Sequence, residues 1–192
     1  MIPTACGILA GGASRRMGRN KALLPFRGKP LLRHQLDLLT PLFPEILLSA
    51  NDPAPYSPFG LRIVPDLFAE RCSLSGIHAL LKAATAPRVF VVACDLPFLN
   101  PDLIRKLLEL PGDVDVVVPK SDEGLEPLHA IYARTCLPSI ERCAAAGEWK
   151  ITRFYEGLRV YVLPVAPGDW RREGRSPFLN ANTPDEWDRT AP

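Results

Sequence analysis

Arg88-Val89-Phe90-Val91-Val92-Ala93, followed at once by Cys94-Asp95-Leu96-Pro97-Phe98, decides how the chain folds. Five of the first six residues are apolar, and they are β-branched or aromatic at four positions. Such a short unbroken run suits a strand covered on both faces, as in a parallel sheet. Asn100-Pro101-Asp102 then opens a helix reaching about Glu109, with Asn as N-cap, Pro at the first helical position and an acid in the first turn. A buried strand, a stiff turn bearing an Asp, and a helix form one unit of an α/β fold.

The alternation continues on both sides of this unit. Upstream, Ala5–Ala10 is an apolar strand ending in Gly11-Gly12. Pro30–Leu39 carries apolar residues at helical spacing, Glu45–Ala50 and Leu61–Val64 read as strands, and Ser75–Ala84 reads as a helix capped by Ser73 or Ser75. Downstream come a strand at Val114–Val118, a strand at Leu128–Tyr132, a helix at Leu137–Ala146 ended by Gly147, and a strand at Leu158–Leu163. Thr183-Pro184-Asp185-Glu186 opens a short last helix. The expected architecture is one α/β domain over residues 1–192, a largely parallel sheet with helices on both faces. Ligands of such sheets sit beyond the carboxyl ends of the strands. That rule selects the loops after Ala10, Ala50 and Cys94.

Composition narrows the function. The chain has 192 residues, 47% apolar and 23% charged, with a net charge of +2. The charge is uneven: residues 1–36 hold seven Lys or Arg and no acid, while the remainder holds 16 bases and 21 acids. A local basic segment points to a bound anion rather than to a nucleic-acid surface, which would be basic across the domain. The five cysteines form no Cys-x-x-Cys pair and read as reduced thiols. Ser14-Arg15-Arg16 is not followed by the apolar core of an export signal, and no apolar run is long enough for a membrane span. A cytoplasmic enzyme without membrane contact is expected.

Leu9-Ala10-Gly11-Gly12-Ala13-Ser14-Arg15-Arg16-Met17-Gly18-Arg19-Asn20-Lys21 carries three glycines and four cations. Backbone N–H groups of such a loop cradle phosphate, and Arg15, Arg16, Arg19 and Lys21 supply charge for a triphosphate. The spacing matches neither a P-loop nor a dinucleotide fingerprint. Asp95, at the end of a buried strand, points into the crevice and suits Mg²⁺, which takes one or two carboxylates together with substrate phosphates. Asn51 and Asp66, also at strand ends, have side chains able to bond a base or ribose.

Taken together, these residues resemble the molybdenum cofactor guanylyltransferases, of the MobA-like nucleotidyltransferase family, over nearly the whole chain. The resemblance rests on the Leu9–Lys21 loop, Gly28-Lys29-Pro30-Leu31, Ala50-Asn51, Asp66, Cys94-Asp95-Leu96-Pro97-Phe98 and Asn180-Ala181-Asn182-Thr183-Pro184. It implies a Rossmann-like three-layer sandwich of the nucleotide-diphospho-sugar transferase type, with one antiparallel strand near its end, which suits Leu128–Tyr132. It also implies that Leu9, Ala10, Gly11, Gly12 and Lys21 bind GTP, that Asn51 and Asp66 recognise guanosine, that Asp95 holds Mg²⁺, and that Asn180, Asn182 and Thr183 help bind the pterin. Three departures stand out: Asn20 where members often have Asp, a slightly shorter loop, and Cys72-Ser73-Leu74-Ser75-Gly76 where Gly-Pro-Leu-x-Gly is common.

The implied reaction is attack by a terminal phosphate oxygen of molybdopterin on the α-phosphorus of GTP, with loss of pyrophosphate. Lys21 and Arg15 or Arg16 would balance the phosphate charge, so Arg15, Arg16, Lys21 and Asp95 form the catalytic set. Glu126-Pro127-Leu128-His129 would border the pterin. Partners would be the two substrates and, transiently, proteins of cofactor synthesis or apoenzyme maturation. Competing readings are a cytidylyltransferase of the same cofactor family, a sugar-phosphate nucleotidyltransferase, and a regulatory nucleotide-binding module without turnover. Ala10-Gly11-Gly12 and the Asn-x-Asn-Thr-Pro ending favour guanylyl transfer.

Overall fold

Strands form where the sequence places its apolar runs, and they assemble side by side. The computed structural model describes residues 2–10 and 20–180. Gly11, Gly12, Arg15, Arg16, Asn182 and Thr183, together with the helix expected after Thr183, lie outside the described residues. The strands are β1 (Thr4–Leu9), β2 (Pro25–Phe26), β3 (Lys29–Pro30), β4 (Ile46–Ser49), β5 (Arg62–Val64), β6 (Arg88–Ala93), β7 (Val116–Ser121), β8 (Gly124–Leu125), β9 (His129–Ala133) and β10 (Val160–Pro164). The helices are α1 (Leu31–Leu39), α2 (Ser73–Ala83), α3 (Pro101–Glu109) and α4 (Leu137–Ala145).

Among the described residues one sheet runs in the order β10-β7-β9-β6-β1-β4-β5, with β8 paired to β7 outside that path. The pairs β1–β4, β1–β6, β4–β5 and β7–β10 are parallel. β9 runs antiparallel to both β6 and β7, as the resemblance implies for Leu128–Tyr132. The central β6 and β1 are buried along their whole length. Leu32, Leu36 and Leu39 of α1 and Leu103, Ile104 and Leu107 of α3 cover one face, with Ile8, Phe90 and Val92 beneath them. Leu74, Ile77 and Leu80 of α2 and Ile140 of α4 cover the other, over Val89, Val91 and Tyr132. Alternate residues of β6 feed the two cores, so an unbroken apolar run is what this position requires.

Some local details depart from the sequence reading. Neither Ser73 nor Ser75 caps α2. Cys72 takes the N-cap position without a side-chain bond to the helix backbone, and Ser75 instead donates its hydroxyl to Glu70 O at 2.5 Å. β7 begins two residues later than expected, because Asp115 accepts from Thr135 Oγ1 at 2.6 Å and from Arg159 N at 2.9 Å. The hairpin β2–β3 turns at Arg27-Gly28, both with positive φ, and escapes pattern reading because each strand has two residues. Asn100 caps α3 as the sequence predicts, accepting from Asp102 N and Leu103 N.

Candidate active site

The carboxyl ends of β5, β4, β1 and β6 are knitted into one rim. Ala10 N donates to Ser49 O at 3.0 Å, Ala50 N to Val64 O at 3.1 Å, and Cys94 N to Leu9 O at 3.1 Å. The three loops selected by the strand-end rule therefore leave the sheet along a common line. Leu9 is buried in the core beneath α2, and Ala10 is half-buried. A Cβ on Gly76 would lie 2.5 Å from Leu9 Cδ2 and 2.8 Å from Ser49 Oγ. Only glycine lets the first turn of α2 approach the rim so closely, so the glycine that ends the Cys72–Gly76 motif has a packing role.

Asp95 stands immediately beyond β6, and Lys21 Nζ meets its carboxylate at 3.0 Å. Their side chains are 20% and 15% exposed, so the pair is shielded yet reachable from the crevice. Gln35, fully buried on α1, holds the turn that carries Asp95: its Nε2 donates to Ala93 O and Leu96 O, both at 3.0 Å. Its Oε1 is buried without a hydrogen-bond partner. No local signal in the sequence marks Gln35, because its partners lie about 60 residues away on another element.

Lys21 begins a 3-10 turn, Lys21–Leu23, capped by Asn20, whose Oδ1 accepts from Ala22 N at 3.2 Å. Asn20 Nδ2 donates to Tyr56 Oη at 3.0 Å, and that hydroxyl donates to Ala10 O at 3.1 Å. The buried Tyr56 thus ties Ala10 to Asn20, the two ends of the glycine loop. Burial raises its phenol above the ordinary range, so it remains a hydrogen-bond donor. An amide at position 20 supplies both the donor and the acceptor that this arrangement uses, which accounts for Asn in place of Asp. Sequence reasoning missed Tyr56 because the Ala54–Phe59 3-10 helix that carries it has no periodic signature.

Asn51 and Asp66 also meet. Asn51 Nδ2 donates to the Asp66 carboxylate at 2.7 Å, and Asp66 N donates to Asn51 Oδ1 at 2.9 Å. The reciprocal pair fixes both side chains and leaves the second carboxylate oxygen outside it.

The other half of the rim is built by β9, β7 and β10. Because β9 is reversed, its amino end faces the same side as the carboxyl ends of β6, β7 and β10. Glu126, just before β9, is half-buried and accepts from Ser121 Oγ at 2.6 Å. His129 is buried, with neither ring nitrogen hydrogen-bonded, edge-on to Phe90 and Phe178. Burial lowers its pKa to about 3, so it is neutral and packs as an aromatic. His34 is likewise buried and lowered to about 4, by desolvation first and then by Arg172, Arg27 and Lys29. His78 bonds Glu141 and stacks on Phe68. None of the three contacts Lys21 or Asp95. Trp149 packs edge-on against Phe68 and Trp170 lies half-buried against the first core, while Trp187 is outside the described residues.

After β10, residues 165–180 strap back across the rim toward β6. Asn100 Nδ2 donates to Trp170 O at 2.8 Å, Arg172 Nη1 donates to Leu99 O at 3.2 Å, and Arg27 pairs with Glu173. Leu179 then packs against Leu24, Phe26, Leu31 and Phe98. This cluster brings the exposed Asn180 to the site side of the sheet, which its place in the sequence alone does not fix. The structure therefore unites Lys21 with Asp95 and Asn51 with Asp66, and it places Asn180 in the wall of a cavity with Ser121, Glu126 and Phe178.

The chain is similar to known proteins over most of its length. The family model described as the MobA-like NTP transferase domain matches residues 6–160. A probable molybdenum cofactor guanylyltransferase of Pelotomaculum thermopropionicum is 38% identical over 186 residues, covering 97% of this chain and 91% of the relative. A molybdenum cofactor guanylyltransferase of Desulfosudis oleivorans is 37% identical over 188 residues, covering 95% and 91%. The crystal structure of molybdopterin-guanine dinucleotide biosynthesis protein A from Archaeoglobus fulgidus superposes with a TM-score of 0.80 at 28% identity, covering 97% of this chain and 96% of that one. The family model over residues 6–160 and these matches over almost the full length agree: the chain belongs to the MobA-like NTP transferase family.

Proposed function

We propose that the chain transfers GMP from GTP to the terminal phosphate of molybdopterin, giving molybdopterin guanine dinucleotide and pyrophosphate. The observation that carries this reading is the Lys21–Asp95 pair at the middle of the rim, with Asn51 and Asp66 to one side and the Asn180 strap to the other. Guanosine would lie by Asn51 and Asp66, the triphosphate along the Leu9–Lys21 loop, and the acceptor beside Asn180 and the segment that follows it. A phosphate oxygen of the acceptor attacks the α-phosphorus, the bond to the bridging oxygen breaks, and pyrophosphate leaves with its electron pair. The nucleophile is already anionic near neutral pH, so the chain need supply no strong base. Its work is alignment and charge neutralisation, by Lys21 and by Arg15 or Arg16.

Asp95 is the residue that would hold Mg²⁺. Among the described residues no group of three or more His, Cys, Asp or Glu could enclose a metal. A single, partly exposed carboxylate fits a hard ion that takes its remaining ligands from phosphates and water. Such an ion draws charge from the phosphates when bound. Lys21 stands beside this carboxylate, within reach of the phosphates that such an ion would bind.

No helix among the described residues is long and apolar enough to cross a membrane. We place the enzyme in the cytoplasm, with transient contacts to cofactor-synthesis or apoenzyme-maturation proteins. The test is pyrophosphate release from GTP, CTP or ATP with Mg²⁺ and molybdopterin. GTP alone should support dinucleotide formation, and turnover with CTP in its place would overturn the guanylyl reading.

A further inference from the structure

Beyond the carboxyl ends of β7 and β10 lies a cavity of 280 Å³, walled by Ser121, Glu126, Val165, Phe178 and Asn180 among others. Neighbouring strands are about 4.8 Å apart. Two to three strand positions separate β6 from β7 and β10, so this cavity stands roughly 10–14 Å along the rim from Asp95. That is the span from a terminal phosphate to the far edge of a tricyclic pyranopterin.

The charge of the lining is the reverse of that on the nucleotide side. Exposed Asp122, Glu123 and Asp169 stand around the cavity, and among the described residues Arg171 is the one base in its lining. A phosphate is repelled from such a place, whereas an uncharged ring rich in N–H donors is not. Phe178 and Val165 supply apolar wall. Glu126 is better placed than the exposed acids because it is half-buried, lines the cavity, and is held by Ser121 Oγ, which bonds Oε1 at 2.6 Å. Burial raises its pKa, so its charge is poorly solvated and gains from an added donor pair.

We infer that this cavity seats the pterin ring of the acceptor, with Glu126 accepting from the parallel donors of its 2-amino-4-oxo edge, the 2-amino group and N3–H. The inference rests on the proposed guanylyl transfer for the identity of the acceptor. Two parallel N–H donors match the two oxygens of a carboxylate, in the geometry by which guanidinium groups pair with acids. Glu126 is then a specificity-determining residue. It selects acceptors that carry the amino group and has no part in the transfer of charge at phosphorus.

The test uses the full chain and two free rings, pterin and lumazine, the second of which carries oxygen in place of the 2-amino group. Ring fluorescence is titrated against wild type and Glu126→Gln, and KM values for molybdopterin and GTP are measured beside it. Wild type should bind pterin about tenfold or more tightly than lumazine, the scale of a hydrogen bond to a charged group. Glu126→Gln should lose that preference and raise the KM for molybdopterin by a similar factor of about ten, with the KM for GTP within about twofold. Equal binding of the two rings by wild type, or an unchanged acceptor KM in Glu126→Gln, overturns the inference. The ring comparison in wild type needs no variant to fold. Turnover of molybdopterin without ring preference removes the cavity assignment and leaves the transferase reading standing. Ring preference lost in Glu126→Gln, without any turnover of molybdopterin, removes the transferase reading and keeps the cavity.

Discussion

The two halves of the rim are built on opposite principles. On the β5-β4-β1-β6 side every strand is parallel, each site residue follows its strand, and the acids are partnered: Asp95 by Lys21, Asp66 by Asn51. On the β9-β7-β10 side one strand is reversed, the site residue Glu126 precedes its strand, and a strap from beyond β10 completes the wall. On the reading proposed above, the first half would hold a polyanion and the second an uncharged ring. The contrast teaches that a reversed strand exchanges which of its flanking loops reaches the site. A search confined to residues after strand ends finds only half of such a crevice.

Four experiments would break or sharpen this contrast. The largest effect belongs to the centre. Asp95→Asn keeps the shape of the side chain and should fold normally, but turnover should fall by about a hundredfold or more, the scale of a lost electrostatic contact in a transition state. Steady-state assay beside a melting curve checks this, and wild-type turnover would make Asp95 a structural residue. Next, Lys21→Ala should weaken GTP binding by about 1.5–3 kcal/mol, as expected for a lost charged hydrogen bond. Calorimetric titration should show a much smaller loss for GMP, and equal losses would move Lys21 away from the outer phosphates.

Gln35→Leu tests whether the nucleotide half depends on its buried support. Two carbonyls lose their donor in the core, so stability should fall by about 1–3 kcal/mol in urea unfolding. Turnover should fall as well, since the turn that carries Asp95 loosens. Unchanged activity in a destabilised protein would show that the turn holds itself.

The last test concerns acid stability, on the other half, where the effect per pH unit is small. His129 has a folded pKa of about 3 against an ordinary 6.5, so below pH 6.5 the unfolded chain binds a proton that the folded chain refuses. Stability from this residue is complete above pH 6.5 and is lost as pH falls toward 3, with a slope of at most about 1.4 kcal/mol per pH unit. His129→Leu should flatten the acid limb of unfolding free energy against pH. His34, lowered to about 4, contributes a slope of the same sign in the wild type. An acid limb identical in His129→Leu and wild type would place the titration elsewhere.

Much of the fold was legible because its central strands are buried on both faces and therefore written as uninterrupted apolar runs. The Asn100 cap, the reversed strand near Leu128–Tyr132 and the line of loops all follow from that pattern and from the resemblance. Lys21, Asp95, Asn51 and Asp66 were legible as chemistry at strand ends, although their pairing was not. Asn51 and Asp66 meet across 15 residues, and Lys21 and Asp95 across 74. Tyr56 and Gln35 were invisible for a related reason. Each acts through backbone carbonyls or loop ends on another element, and such contacts leave no spacing rule in the chain.

The strap over residues 165–180 has a consequence in time as well as in space. Lys21, Asn51, Asp66 and Asp95 all belong to the first half of the chain, whereas Phe178 and Asn180 follow the last strand of the sheet. Domains fold from the amino end as they leave the ribosome. A growing chain therefore carries the residues proposed to meet the nucleotide long before it has the wall proposed for the acceptor. Synthesis itself lays down the proposed donor side of the crevice before the proposed acceptor side.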